Sequence, residues 1–291
     1  MNGINVISEK STVLRPAQKD DFDRLHQLSN SLNYLHRHLD WRDSLEWLGR
    51  SPFWILEENG SLQAALACPP EPSWVAWVRF FAAAMNTSPD RAWKKLFACC
   101  LDDLKKLDPM PAITSLALRD WYEELLRHNG FEHHQDIVVF LFDEQPPKPI
   151  PLATGCRLRK MTVEDLPEVT RIDHLAFEPI WRLSCEDLHF AARKSSYCTV
   201  FEQEGEIVGY QMSSCSGVYA HLARLAVHPA LQRRRIGYSL VQNLLDHFLS
   251  RPVCWGVTLN TQHNNTASIA LYHKIGFRET GERFPVFTFS G

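Results

Sequence analysis

One stretch of this chain reads Leu225-Ala-Val-His-Pro-Ala-Leu-Gln-Arg-Arg-Arg-Ile-Gly-Tyr-Ser-Leu240. It places the end of an apolar strand, a short loop with three arginines and the first turn of an amphipathic helix in direct succession. The free N–H groups and the dipole of such a helix start attract an anion, and Gly237 permits a close approach of the backbone. The stretch therefore predicts a local anion site, although a basic loop beside a helix is often only solvated.

The surrounding sequence alternates between strand and helix patterns. The apolar residues from Ile236 to Phe248 fall on one helical face and predict a helix after the basic loop. The other predicted elements are a strand at 157–161, a helix opened by Thr162, a hairpin at 199–212 with its turn at Glu204-Gly205, strands at 221–227 and 253–259, and a helix near 266–274 capped by Gly276. This alternation predicts an α/β fold with a mixed sheet.

Length and internal matches predict two domains. At roughly 150 residues per domain, the 291 residues suggest two. Four prolines between residues 146 and 151 forbid a helix or a central strand there. Leu14-Arg15 matches Leu158-Arg159, and three further segments match in the same order at offsets of 144 to 146 residues. We therefore predict two copies of one fold, at 1–145 and 156–291, joined by a proline-rich linker at 146–155.

Composition excludes several classes of protein. The formal net charge of −3 gives no global attraction to nucleic acid or to an anionic membrane, so neither is an expected partner. Because we find no signal peptide and no apolar stretch of about 18 residues, we expect a cytoplasmic protein. The eight cysteines show no CxxC spacing, and HExxH is absent from the sequence. We therefore expect mostly buried, reduced thiols and no metal.

Two motifs in the C-terminal half form a known combination. The basic loop reads Gln232-Arg-Arg-Arg-Ile-Gly237, and a later segment reads Asn265-Thr-Ala-Ser-Ile-Ala-Leu-Tyr-His-Lys-Ile-Gly-Phe277. Together they resemble the Gln/Arg-x-x-Gly-x-Gly/Ala loop and the Asn-x-x-Ala-x-x-Leu-Tyr-x-x-x-Gly-Phe signature of the GNAT superfamily of acyl-CoA-dependent N-acyltransferases. The resemblance covers residues 156–291 and extends weakly to residues 12–143 through the internal repeat.

This resemblance implies an acetyltransferase. Acetyl-CoA would be the co-substrate, and its acetyl group would pass to a primary amine by direct attack in a ternary complex. The resemblance also implies that the strand at 225–227 pairs with the pantetheine arm and that the basic loop holds the phosphates. The residues expected to bind acetyl-CoA are Leu225, Ala226, Val227, Gln232, Arg233, Arg234, Arg235, Ile236, Gly237, Tyr238, Asn265 and Tyr272.

The resemblance also suggests which groups carry out the chemistry. Tyr272 is expected to protonate the leaving thiolate, and the backbone N–H of Val227 to donate to the developing oxyanion. Some relatives carry a glutamate base at the position of Asn260, whose amide accepts no proton. His221 is therefore the first candidate for the base, directly or through water. A histidine that is merely hydrogen-bonded within its strand is an equally weighted alternative.

Three points depart from the pattern of the superfamily or stay open. Arg235 replaces the first loop glycine, so a positive φ there would cost about 1 kcal/mol. In the N-terminal copy, Asn86-Thr-Ser-Pro-Asp-Arg-Ala-Trp93 replaces the basic loop and Leu126 replaces Tyr272, so we expect a degenerate copy. The acceptor would be an amine-bearing small molecule or a protein or peptide, and the chain a monomer or a homodimer. The alternative function is a non-catalytic sensor that binds acyl-CoA or a peptide.

Overall fold

The computed structural model describes residues 11–30, 34–251 and 253–291, which form two compact units. One unit comprises Met1–His133 with Phe287–Gly291, and the other comprises His134–Val286. These boundaries differ from the predicted 1–145 and 156–291. The difference arises because residues 137–142 form an antiparallel ladder with residues 257–262, which puts that strand and the proline-rich segment in the second unit.

The first unit packs helices against an antiparallel sheet. Its elements are β1 (Thr12–Pro16), α1 (Phe22–Asn30), β2 (Tyr34–Arg37), β3 (Phe53–Glu58), β4 (Ser61–Ala67), β5 (Val75–Trp77), β6 (Phe80–Ala83), α2 (Pro89–Leu104), β7 (Ala112–Leu116) and α3 (Asp120–His128). The sheet has the order β1-β3-β4-β6-β2, and β5 pairs in parallel with β7. Apolar side chains of the sheet and of α2 and α3 form the core.

The second unit has a similar but not identical order of elements. They are β8 (Phe131–Phe142), β9 (Cys156–Lys160), α4 (Leu166–Ala176), α5 (Cys185–Lys194), β10 (Tyr197–Gln203), β11 (Glu206–Ser216), β12 (Tyr219–Val227), α6 (Ile236–Leu249), β13 (Gly256–Gln262), α7 (Thr266–Ile275) and β14 (Arg278–Phe289). The strand order is β14-β8-β13-β12-β11-β10-β9. Strands β12 and β13 pair in parallel, whereas β8–β13, β12–β11, β11–β10 and β10–β9 pair antiparallel. The sheet is therefore mixed, as the sequence predicts.

Local signals of the sequence explain most of these elements. Glu204 and Gly205 both have a positive φ (54° and 87°), as the tight turn between β10 and β11 requires. Thr162 and Asp165 form the predicted capping box, in a short 3₁₀ turn that leads into α4. Gly276 ends α7 with φ 114°. These three predictions are confirmed.

Two predictions are wrong. One concerns the bounds of a strand in the second unit, and the other concerns the burial of the cysteines. The strand predicted at 253–259 lies at Gly256–Gln262, because Val253 and Trp255 are exposed and belong to the preceding loop. All eight cysteines are free thiols, but only Cys68 and Cys100 are buried. The expectation of mostly buried thiols is therefore wrong.

Candidate functional site

The site begins where β12 and β13 separate. Their parallel register runs from Tyr219 opposite Gly256 to Leu222 opposite Leu259 and then stops, although β12 continues to Val227. At the same point the pairing of β12 with β11 skips Ala223, which marks a β-bulge. The edge of β12 beyond the bulge is therefore open on the β13 side.

The basic loop carries the chain from this open edge into α6. Arg233 and Arg235 adopt left-handed backbone conformations, with φ 62° and 67°. Arg235 is the N-cap of α6, and its side chain does not cap the helix. The backbone N–H groups of the first three helical residues, Ile236 to Tyr238, donate to no group in the described ranges of the chain. This helix start offers free donors beside cationic side chains, which is the arrangement that a phosphate requires.

Gly237 lets α6 lie close to its neighbours. A Cβ atom at this position would lie 3.1 Å from Cδ2 of Leu271 on α7 and 3.7 Å from a methyl group of Val227. A larger residue would therefore push α6 away from α7 or from the end of β12. The glycine serves helix packing here, rather than the positive φ that the two arginines supply.

A cavity of about 650 Å³ joins these features. Its lining includes ten of the residues expected to bind acetyl-CoA, namely Leu225, Ala226, Val227, Gln232, Arg233, Arg235, Ile236, Gly237, Tyr238 and Asn265. Arg234, Tyr272 and His221, which the sequence also nominated, are outside the lining. The rest of the lining comes from α7, from Ala176 and Phe177 at the end of α4, and from Ile150 of the proline-rich segment.

Asn265 has a structural task in addition to its place in the cavity. Its side-chain oxygen accepts a hydrogen bond of 3.1 Å from the backbone N–H of Ser268 and so caps the N-terminus of α7. Tyr272 therefore lies inside α7, seven residues after its N-cap. This cap fixes where α7 begins against the cavity.

Tyr272 is buried behind the cavity wall. Only 5% of its surface is exposed, and its ring packs against Phe140 and Phe277. Burial raises the pKa of Tyr272 to about 12, against the opposing effect of a hydrogen bond with Ser268. The phenol is therefore protonated at neutral pH and can act as a proton donor.

His221 lies on β12 before the bulge. Its Nδ1 is 2.9 Å from Oγ1 of Thr258, whose hydroxyl donates to the carbonyl oxygen of Ala220 at 3.3 Å. Since that hydroxyl has one proton, it accepts from an Nδ1–H of His221, and this tautomer leaves the Nε2 lone pair to take up a proton. Burial lowers the pKa of His221, so the ring is neutral near pH 7.

Sequence reasoning missed a buried ion pair on the same strand. Arg224, the residue after the bulge, donates through Nε to Asp173 of α4 at 2.6 Å, and Asp173 also accepts from the hydroxyl of Tyr210 at 2.5 Å. The guanidinium lies 3.9 Å from the ring centroid of Phe177, which lines the cavity, and donates to the carbonyl oxygen of Trp181. An arginine in a strand and an aspartate in a helix carry no spacing signal, so only the folded structure reveals this pair.

The region of the first unit that matches the basic loop and the start of α6 has a different structure. Ser88 caps α2 by accepting from the N–H of Arg91, and Pro89 occupies the first helical position. Counted from the first residue of each helix, Asp90 takes the place of Gly237, and the fully buried ring of Trp93, three positions further on, packs against Phe81 and Phe97. A capped helix start with a proline at its first position therefore occupies the place where the second unit has free N–H groups and a glycine.

In 11–30, 34–251 and 253–291, no group of three or more His, Cys, Asp or Glu side chains is arranged to hold a metal ion. In the same ranges, no helix is both long enough and apolar enough to cross a membrane.

Sequence comparisons link the region of this site to acetyltransferases. Residues 166–277 match the Acetyltransferase (GNAT) family. An uncharacterized N-acetyltransferase of Methanocaldococcus jannaschii is 26% identical over 122 residues, which cover 42% of this chain and 78% of that protein. The alanine N-acetyltransferase of ribosomal protein bS18 from Escherichia coli is 27% identical over 124 residues, covering 42% and 80%.

Solved structures extend the likeness in fold to nearly the whole chain. A GCN5-related N-acetyltransferase from Sphaerobacter thermophilus superposes with a TM-score of 0.64 at 14% identity and covers 95% of each chain. A tandem GNAT protein from the clavulanic acid biosynthesis pathway gives a TM-score of 0.64 at 14% identity and covers 96% of this chain and 98% of its own. At these identities the likeness concerns the fold alone.

Proposed function

The chain belongs to the GNAT superfamily through its domain at residues 166–277, and from this premise we propose that it transfers the acetyl group of acetyl-CoA to a primary amine. Membership of the family, with N-acetyltransferases among the relatives, supports acyltransferase activity. The donor, the amine acceptor and the residue roles are our proposal. The cavity that joins the open edge of β12 to the free start of α6 is the observation that carries it.

The residues present fit acetyl-CoA. The unpaired N–H groups of Ile236, Gly237 and Tyr238, with Arg233 and Arg235 in the same cavity, suit a diphosphate. The open edge of β12 offers backbone groups to a chain that carries amides, as the pantetheine arm does. Acetyl-CoA supplies an activated acyl group, and the protein supplies orientation and proton transfer.

Three groups would carry out the proton transfer and stabilise charge. The N–H of Val227 would donate to the carbonyl oxygen of the thioester as negative charge develops on it. Nε2 of His221 would accept the proton of the amine, since the neutral ring has its lone pair there. Tyr272, which is protonated at neutral pH, would return a proton to the departing sulfur.

Tyr272 and His221 are outside the lining of the cavity. Each role therefore requires a link between the side chain and the reacting atoms. A water molecule or a side-chain rotation would have to connect each group to the reacting atoms. In structures without substrate, catalytic hydrogen bonds are often long and tighten only in the complex. The proposal therefore assigns these two residues to proton transfer and leaves the binding of acetyl-CoA to the lining residues.

The acceptor is proposed only as a class. The Escherichia coli relative is named for the alanine of a ribosomal protein, so a protein N-terminus is one candidate, with small-molecule amines as the other. We further propose that the first unit is a degenerate copy that binds no acetyl-CoA. The cap by Ser88 and the proline at the first position of α2, which has no N–H, support this.

The test measures binding and chemistry separately. Acetyl-CoA should raise the melting temperature of the full chain and bind in calorimetry. Replacing Arg233 and Arg235 together by Ala should abolish most of this shift, whereas Arg157→Ala, an exposed arginine on β9, should leave it unchanged. Incubation with acetyl-CoA and a panel of amines should then release free thiol.

Two results would overturn the proposal. An unshifted melting curve at millimolar acetyl-CoA would exclude acetyl-CoA as a ligand. Binding without thiol release, with protein N-terminal peptides and small amines all present in the panel, would favour a non-catalytic sensor of acyl-CoA. The two outcomes distinguish the function of the cavity from the function of Tyr272 and His221.

A further inference from the structure

Within the proline-rich segment predicted as a linker at 146–155, residues 146–153 are irregular backbone that is bound to α6. The side chain of Gln242 donates from Nε2 to the carbonyl oxygen of Pro147 at 2.6 Å and accepts at Oε1 from the backbone N–H of Ile150 at 3.2 Å. Gln242 is only 4% exposed, so both bonds are shielded from water. One buried amide thus holds the segment at two points.

This attachment brings one apolar residue of the segment to the cavity. Ile150 is half-buried and lines the same cavity as the basic loop. It stands between Pro149 and Pro151, so the backbone on either side has little freedom to rotate. A backbone that is held this stiffly loses little entropy when a ligand packs against Ile150.

The position of Ile150 along α6 indicates which part of a ligand it meets. Gln242 lies six positions after Ile236, roughly 9 Å along the helix axis at 1.5 Å per residue. The basic loop at the start of α6 suits the diphosphate, and the open edge of β12 suits the pantetheine arm. In CoA, the nucleoside and the pantetheine arm extend from opposite ends of the diphosphate. The α6 and α7 side of the cavity therefore remains for the nucleoside.

The part of the lining that α7 contributes suits a flat ring. Ala267, Ala270 and Lys274 recur at helical spacing on α7, and all three line the cavity. The two alanines leave room beside the helix, and the lysine adds positive charge. Ile150 and this face of α7 therefore belong to one lining that is partly apolar and partly cationic, which matches a purine nucleotide that bears a phosphate.

We propose that Ile150 is a binding residue for the adenosine half of CoA, and that Gln242 positions it. The inference rests on the proposed function, because it takes acetyl-CoA as the ligand. The proline-rich segment is then a wall of the ligand site, not only a connection between β8 and β9.

Calorimetry on the full chain tests this inference with three probes, acetyl-CoA, adenosine 3′,5′-bisphosphate and S-acetyl-4′-phosphopantetheine. Ile150→Ala should weaken binding of the first two by about tenfold, since several buried carbons are lost. It should leave binding of the third unchanged. Leu152→Ala is the matched control, because Leu152 belongs to the same segment, is 39% exposed and is outside the lining.

The role of Gln242 has its own readout. Gln242→Leu keeps the size of the side chain but removes both bonds, so the amide hydrogen of Ile150 should exchange with deuterium faster in the free protein. The same variant should weaken adenosine 3′,5′-bisphosphate binding about as much as Ile150→Ala does. Gln242→Glu keeps an acceptor for the N–H of Ile150. Its amide exchange rate and its affinity for adenosine 3′,5′-bisphosphate should therefore lie between those of wild type and Gln242→Leu.

The outcomes separate this inference from the proposed function. If wild-type protein binds acetyl-CoA and Ile150→Ala binds each of the three probes as tightly as wild type does, only the inference fails. Equal weakening towards both fragments would also overturn it, because the effect would not concern the nucleoside. If wild-type protein does not bind acetyl-CoA at all, the proposed function fails first.

Discussion

Arg159 donates two hydrogen bonds to Asp165, at 2.7 and 2.8 Å, through the fork of its guanidinium group. Glu202 accepts a third bond from the same arginine at 2.7 Å. In the first unit, Arg15 binds Asp21 and Glu57 in the same way, at 2.7 and 3.0 Å. The internal repeat therefore extends from sequence offsets to an ion-pair arrangement that each unit forms within itself.

Arg159→Lys should destabilise the second unit by about 1 kcal/mol, because an ammonium cannot bond both carboxylate oxygens of Asp165 in parallel. Arg171→Lys is the matched control, since Arg171 pairs with Glu168 on the exposed face of α4. Urea titration measures both. Because Arg171 also binds its carboxylate through two guanidinium nitrogens, equal losses in the two variants would show that the partial burial of the Arg159–Asp165 pair is unimportant.

The same ion pair predicts a response to acid. Arg159 holds the pKa of Asp165 below its usual value, with a further contribution from the N–H of Thr162. A depressed carboxyl pKa stabilises the fold above the unfolded-state pKa near 3.9, and this contribution is lost as the pH falls. The wild-type and Arg159→Lys proteins should therefore converge in stability below about pH 4, which unfolding at several pH values measures.

Much of the fold could be predicted from sequence because its signals are local. The helix α6 follows from apolar periodicity, the hairpin turn from Glu204-Gly205, and the end of α7 from Gly276. The boundary between the units could not be predicted, because the partner of a strand is decided by pairing across distant parts of the chain. The ladder between residues 137–142 and 257–262 is such a pairing.

The candidate site divides in the same way. The basic loop and the strand before it are contiguous in sequence, so their place in one cavity follows from the motif. Ile150 and Phe177 reach the cavity through tertiary contacts that have no sequence spacing. Whether Tyr272 reaches the cavity depends on which side of α7 it occupies, and it lies on the buried side.

Tyr272→Phe should lower turnover by about 100-fold at saturating acetyl-CoA, a typical effect of losing a general acid. Its affinity for acetyl-CoA should stay unchanged, because Tyr272 is outside the lining of the cavity. Tyr238→Phe, in a tyrosine that does line the cavity, is the control for loss of a hydroxyl. A thiol-release assay and calorimetry give the two quantities, and a loss of affinity alone would contradict the role of an acid.

The pH profile should reveal His221. Because burial lowers its pKa from the usual 6.5, the neutral ring that accepts a proton persists below that pH. We expect the acid limb of kcat/KM to lie below pH 6.5 and to be absent in His221→Gln. His189→Gln, an exposed histidine on α5, should retain the limb. An unchanged limb in His221→Gln would assign the base to another group.

Arg235→Gly should move stability and binding in opposite directions. The left-handed φ of 67° costs an arginine about 1 kcal/mol that glycine avoids, so the variant should unfold at a higher temperature. It should bind acetyl-CoA more weakly, because Arg235 lines the cavity. Arg234→Gly is the control, since Arg234 is outside both the left-handed region and the lining. Tighter binding by Arg235→Gly would mean that the guanidinium does not contact the ligand.

A buried histidine should make the first unit sensitive to mild acid. His36 is 3% exposed, stacks on Tyr122 at 4.0 Å between ring centroids, and has Nε2 3.1 Å from the carbonyl oxygen of Val78. Burial lowers its pKa to about 4, against the opposing effect of the Val78 carbonyl. The fold therefore favours the neutral ring over the charged one.

The sign and size of the effect follow from this shift. The folded-state pKa of His36 is below the unfolded value of about 6.5, so the fold is not penalised above pH 6.5 and loses stability as the pH falls towards 4. The difference between the two pKa values corresponds to a loss of about 3 kcal/mol in the free energy of unfolding, at 1.36 kcal/mol per pKa unit. His36→Gln should be less stable than wild type at pH 7 and should lose less stability between pH 6.5 and 4. His128→Gln, at an exposed position, should keep the wild-type slope. Chemical denaturation at each pH gives these slopes, and an identical slope in His36→Gln would assign the acid sensitivity to other groups such as His38.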